Sequence, residues 1–99
     1  MTDIYLMRSP NPDKKFRVRV GNKNIDFGAE GYTDYILSGG DKQKRNAYLA
    51  RHSKMGENWT KSGINTRGWW SRWLLWQEPT LQKAINNIEN KFNVKIHYI

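Results

Sequence analysis

The period of the hydrophobic pattern changes along this chain. Asp3 to Met7 reads as a short strand, and Ser9-Pro10-Asn11-Pro12-Asp13 breaks it. Phe16-Arg17-Val18-Arg19-Val20 then alternates strictly, with Phe16, Val18 and Val20 on one side and Arg17 and Arg19 on the other. A period of two with β-branched residues predicts a half-buried strand. Gly21-Asn22-Lys23-Asn24 supplies a turn and Ile25-Asp26-Phe27 a short return strand, so this stretch is expected to form a hairpin.

Gly28-Ala29-Glu30-Gly31 ends the strand pattern, and Tyr32 to Leu37 is expected to make one or two helical turns, stopped by Ser38-Gly39-Gly40. Asp41 suits the N-cap of a helix from Lys42 through His52, in which Ala47, Tyr48 and Leu49 stand among Lys and Arg. Gly56 to Gly63 reads as a loop. Thr66 can cap a helix from Arg67 to about Gln77, and Pro79 suits the first turn of another, running to about Lys91. Leu81, Ala84, Ile85, Ile88 and Phe92 make a one-sided apolar stripe on that last helix. Val94-Lys95-Ile96-His97-Tyr98 alternates again and is expected to return to the N-terminal sheet.

These elements predict one α+β domain over residues 1–99. It would hold a strand-rich part (1–30), a basic and Trp-rich part (31–80), and an amphipathic helix with a terminal strand (79–99). The expected architecture is a small, mainly antiparallel sheet of about four strands covered on one face by three helices, in the order β-β-β-α-α-α-β.

Composition changes this picture in two ways. A chain of 99 residues has little interior to work with, and its 13% aromatic content, including five Trp, is what makes a core feasible. Oligomerisation is the other common remedy. Charge matters more for function: 17 Lys and Arg oppose nine Asp and Glu, for a net charge of +8. Such a balance points to anionic partners, with nucleic acid first.

The surplus is regional. Residues 41–72 carry Lys42, Lys44, Arg45, Arg51, Lys54, Lys61, Arg67 and Arg72 against Asp41 and Glu57, whereas the flanking parts are nearly balanced. These eight cations are the expected nucleic-acid contacts, and phosphate contacts of this kind are sequence-independent and salt-sensitive. A solvated helix face is the alternative use of such a run.

The absence of cysteine excludes disulfides and thiol chemistry. Ile4-Tyr5-Leu6-Met7 is too short for a signal-peptide core or a membrane span, so the chain is expected to stay in the cytosol, and the acceptor-like triplet Asn58-Trp59-Thr60 reads as chance. His52 and His97 have no metal-type spacing to a second ligand. Asp34, Asp41, Glu57 and Glu78 are scattered, the Gly-rich pieces lack the Lys-Ser/Thr of a phosphate loop, and Ser62 and Ser71 have no evident base. His52 near Asn58 is a faint nuclease-like pairing. The expectation is a protein that is not an enzyme and uses no metal or cofactor.

Gly68 to Trp76 is the most unusual stretch. Trp69, Trp73 and Trp76 share one helix face, with Trp70 and Leu74 on the next and Leu75 adding apolar breadth. A helix apolar over so much of its circumference is normally buried. With Trp59, these residues are candidates for either core or interface, and base stacking is a third use.

Taken together, Gly31-Tyr32-Thr33-Asp34-Tyr35, the cationic helix ending Arg51-His52, Glu57-Asn58-Trp59-Thr60-Lys61-Ser62-Gly63-Ile64 and Thr66 through Trp76 resemble a family of small proteins of giant DNA viruses, of the mimivirus, marseillevirus and phycodnavirus kind. Their pattern reads G-Y-x-D-Y, then E-N-W-x-K-S-G, then W-S-R-W-L-L-W. The likeness covers roughly residues 31–80; the first thirty lie outside it. It supplies no catalytic residues, because that family has no assigned activity. It implies a viral protein of the virion or of the factory in the host cytoplasm. The function expected is a structural protein that binds nucleic acid non-specifically, bridging or compacting DNA as a homo-oligomer. The alternative is a minor capsid or scaffold component that binds protein or membrane.

Overall fold

The computed structural model describes residues 2–99. Strands β1 (Thr2–Arg8), β2 (Lys14–Val20) and β3 (Lys23–Ala29) form an antiparallel meander, and β4 (Val94–Tyr98) joins the free side of β1 in parallel. The resulting sheet has the order β3-β2-β1-β4. Between β3 and β4 come α1 (Lys42–Ser53), a 3₁₀ turn (Lys61–Gly63), α2 (Arg67–Trp70), which widens into a π-helical segment (Ser71–Leu75), and α3 (Leu81–Phe92). This is the expected α+β architecture in the expected element order.

The strands are longer than the alternation alone marks. Val20 pairs with Lys23, so the turn is only Gly21-Asn22, with Gly21 at φ 59°. A left-handed residue in a two-residue loop matches the twist of the strands it joins. The pattern stopped short at Lys14 and Lys15 because their side chains are polar, although the backbone ladder extends through Lys14 to Ala29.

Alternation puts Ile4, Leu6, Val18, Ile25, Phe27, Val94 and Ile96 on one face of the sheet, all buried. The α3 stripe of Ala84, Ile85, Ile88 and Phe92 packs in the same core. Thr80, not a position before Pro79, caps α3 by accepting from the Lys83 amide, so the helix begins later than the Pro signal suggests. Asn93 closes it in the left-handed conformation at φ 55°, a role that Asn tolerates better than most residues. Its chain reversal sends β4 back beside β1.

Tyr32–Leu37 does not form the expected helical turns. The Asp34 carboxylate accepts from the Leu37 amide, and Ser38 N–H and Gly40 N–H bond back to Asp34 and Tyr35 carbonyls. The result is a short string of turns: Asp34 caps the first, and Gly39 and Gly40, at φ 70° and 88°, end it before a helix extends.

The helix expected over Arg67–Gln77 is also different. It is α-helical only to Trp70 and then π-helical to Leu75. The wider turn lets Trp69, Trp70, Arg72, Trp73, Leu74, Leu75 and Trp76 all be buried, leaving only Ser71 partly exposed among Trp69–Trp76. A regular α-helix at this position would turn part of that run outward. Gly28 accommodates the segment: its φ is 77°, and a Cβ there would lie 2.9 Å from Leu75 Cδ1.

The other face of the sheet is polar. Tyr5 stacks on His97 with ring centroids 4.9 Å apart, and His97 Nε2 lies 2.9 Å from Asp3 Oδ1. Arg17 makes a two-pronged pair with Asp26, which also accepts from Ser9. The Arg17 hydrogen bonds hold the Asp26 carboxyl below the usual carboxylate range. A carboxyl lowered on folding stabilises the fold above its unfolded pKa, and that contribution is lost as pH falls through the folded value.

Trp69 is fully buried against Trp70, Trp73 and Phe92. Trp69→Ala should therefore cost about 3–5 kcal/mol in urea denaturation. Lys44→Ala on the exposed side of α1 should change stability by less than about 0.5 kcal/mol.

Candidate nucleic-acid interface

The site begins with the indoles. Trp69 Nε1 donates to the Thr60 carbonyl at 2.8 Å, Trp70 Nε1 to that of Ile64 at 2.7 Å, and Trp73 Nε1 to that of Trp59 at 2.9 Å. Trp59 Nε1 in turn donates to Glu57 Oε1 at 3.0 Å. Three Trp side chains thus tie residues 59–64 to the core, and Trp59 braces the loop internally. A buried indole needs such an acceptor, and an irregular loop has unpaired carbonyls to offer. Asn58 tightens the same loop by accepting from Thr60 N–H and Oγ1 and donating to Ser62. That is a local structural role for the acceptor-like triplet.

Glu57 is the hinge between this loop and α1. Its Oε2 lies 3.2 Å from His52 Nδ1, and Gly68 makes room for it, since a Cβ there would fall 2.7 Å from Oε2. His52 also stacks on Tyr48 (4.1 Å between centroids), and Tyr48 stacks on Trp76 at 4.5 Å with planes 7° apart. Tyr48 is the one fully buried side chain of α1, so α1 is held to the body by this ladder rather than by a broad apolar face. Asp41 caps α1 through the Gln43 and Lys44 amides, as expected.

Between α1, the start of α2 and the β2–β3 end of the sheet lies a cleft of about 520 Å³. Lys44 and Arg51 line it from α1, Arg67 from α2, and Lys14 and Lys15 from β2. Its two carboxylates are already engaged. Asp34 is 2.7 Å from Lys15 Nζ, and Glu57 is held by His52 and Trp59. Lys14, Lys44, Arg51 and Arg67 have no carboxylate partner among the described residues. A concave site with cations converging from three elements focuses positive potential and attracts a polyanion.

Three of the eight expected contacts, Lys44, Arg51 and Arg67, therefore meet in the cleft. Lys42, Lys54 and Lys61 are exposed but stand apart from it. Arg45 and Arg72 are corrections, because both are turned inward. Arg45 donates to the Trp76 carbonyl and to Gln77 Oε1, each at 3.0 Å. Arg72 is buried at 9% exposure, donates to Gln77 Oε1 at 2.7 Å, and lies over the Trp73 and Trp59 rings at 4.2 and 5.2 Å. Burial, reinforced by Arg45, holds the Arg72 guanidinium below its usual range. A charge run read along the sequence carries no sign of which members the aromatic rings will capture.

The aromatic candidates resolve similarly. Trp69, Trp70, Trp73 and Trp76 are core, with exposures of 9% or less, and Trp59 packs at its edge. Sequence reasoning missed Lys14, Lys15 and Tyr48 as cleft residues. The doublet Lys14-Lys15 before the alternating strand was the available signal for two of them. Among the described residues no group of three or more His, Cys, Asp or Glu could hold a metal ion.

Residues 4–52 match a protein family described as a family of unknown function, DUF5754. That stretch covers nearly all of the β-meander and α1 but not the Trp-rich segment. Neither a curated protein nor a solved structure matches the chain.

The inward placement of Arg72 has a measurable consequence. Its loss removes two ring contacts and a charged hydrogen bond, together about 2–4 kcal/mol. Arg72→Ala should lower the melting temperature by roughly 10 °C or more, whereas Arg51→Ala should leave it nearly unchanged in a thermal melt.

Proposed function

We propose that this chain is a structural nucleic-acid-binding protein that holds the phosphate backbone in the cationic cleft without strong sequence preference. The supporting observation is the convergence of Lys14, Lys44, Arg51 and Arg67 on a cleft where Asp34 is paired with Lys15 and Glu57 is hydrogen-bonded to His52 and Trp59. The body is 34 Å along its longest axis, about one turn of duplex DNA. The resemblance to small proteins of giant DNA viruses supplies the setting in this proposal: a virion or viral factory, where homo-oligomers would bridge or compact the genome. No described helix is long and apolar enough to cross a membrane. Of the rival reading, a protein- or membrane-interaction module, only the Trp-lined interface loses support, because the Trp side chains lie in or against the core.

A salt titration with a labelled duplex tests this reading. With four cleft contacts, log affinity should fall against log salt with a slope of roughly −3 to −4, and Lys44→Ala, Arg51→Ala or Arg67→Ala should each flatten it by about 0.9. No binding at low salt, or a slope indifferent to all three substitutions, would remove the proposal.

A further inference from the structure

Besides its charges, the cationic cleft is lined by Tyr32, Tyr48, His52 and Trp76. Three of these rings are occupied: His52, Tyr48 and Trp76 stack on one another in the ladder that holds α1. Tyr32 is different. It is 73% exposed, and among the described residues no ring stacks on it and no cation lies over it.

A lone exposed aromatic is ordinary on a protein surface. This one stands out by its place and by how it is held. A residue that lines the cleft and leaves most of its side chain open to water stands at the rim, beside the cations that converge there. Its backbone is pinned on both sides. The Tyr32 N–H donates to the Ala29 carbonyl at 3.3 Å, and Lys15 Nζ donates to the Tyr32 carbonyl at 2.6 Å while pairing with Asp34 at 2.7 Å. Gly31, at φ 86°, supplies the turn before it. A ring on a fixed backbone has only its side-chain torsions left to order, so covering it costs little entropy.

The partner must offer an open π face close to a phosphate. In a duplex each interior base is covered above and below by its neighbours, so a duplex brings only phosphates to the mouth. A single strand turns its bases outward at small cost, and their stacking on an aromatic side chain tolerates any sequence. The cleft, at about 520 Å³, is also of a size that takes a small organic group and not a double helix.

We propose that the cleft is a site for single-stranded nucleic acid, with Tyr32 as its stacking platform. Lys44, Arg51 and Arg67 hold the phosphates, and one base lies on the Tyr32 ring at the rim. This rests on the nucleic-acid reading above and adds strandedness to it: a duplex shares the charge contacts and lacks the stacking contact.

The test measures binding of a short single-stranded DNA, an abasic strand of the same length and the matching duplex, all at one low salt concentration. The abasic strand keeps the phosphates and removes the bases, so it separates stacking from charge. Tyr32→Ala should weaken binding of the single strand about tenfold and binding of the abasic strand and the duplex by less than about twofold. The parent protein should bind the abasic strand about tenfold more weakly than the strand with bases. Tyr32→Phe, which keeps the ring, should bind the single strand like the parent, and Tyr32→Ala should melt at the parent's temperature because so exposed a ring packs against little. Equal losses on all three probes, or no loss on the single strand, overturns the inference and leaves backbone binding standing. Failure of all three probes to bind the parent protein would instead sink the nucleic-acid reading itself.

Discussion

The structure depends on the hydrogen bonds that three indoles make to the segment between α1 and α2. Residues 57–64 have almost no regular structure of their own; the 3₁₀ turn at Lys61–Gly63 is three residues long. Such a loop needs partners for its carbonyls, and Trp69, Trp70 and Trp73 supply three from inside the core. Each indole thereby contributes apolar area and a directed bond at once. The π-helical widening at Ser71–Leu75 makes this arrangement accessible, since it turns nearly the whole Trp-rich run inward.

The cleft follows from that anchoring. The loop holds Glu57 against Gly68 and His52, the His52–Tyr48–Trp76 ladder holds α1, and α1 then presents Lys44 and Arg51 toward Arg67 and the β2 lysines. The aromatic and cationic features that adjoin in sequence are thus one device seen at two depths. The aromatic part is the frame, and the cationic part is the surface that the frame presents. Arg45 and Arg72 belong to the frame despite their charge, because they are bound to Trp76, Gln77 and the indole faces.

The fold was largely legible in the sequence because its inward positions obey simple periods. Phe16-Val18-Val20 and Leu81-Ala84-Ile85-Ile88-Phe92 each face the core side as their spacing says, and Asp41 and Thr66 cap the helices they precede. What was not legible is how short Tyr32–Leu37 stays, as capped turns that Gly39 and Gly40 end, and the π turn, which no local pattern marks. The site was half legible. Charge density singled out Lys44, Arg51 and Arg67, but Lys14 and Lys15 reach the cleft only through the meander, and Arg72 is held away from it by the Trp59 and Trp73 rings and its hydrogen bond to Gln77.

The central proposal is that the cleft, and not the polar face of the sheet, binds nucleic acid. Nuclear magnetic resonance of the labelled protein titrated with a short duplex tests this most directly. The account predicts that the largest shifts map to Lys14, Lys44, Arg51, Arg67 and the neighbouring Tyr48 and Gly68, with Tyr5, Arg19 and His97 little changed. Shifts concentrated on Tyr5, Arg19 and His97, with the cleft silent, would contradict it.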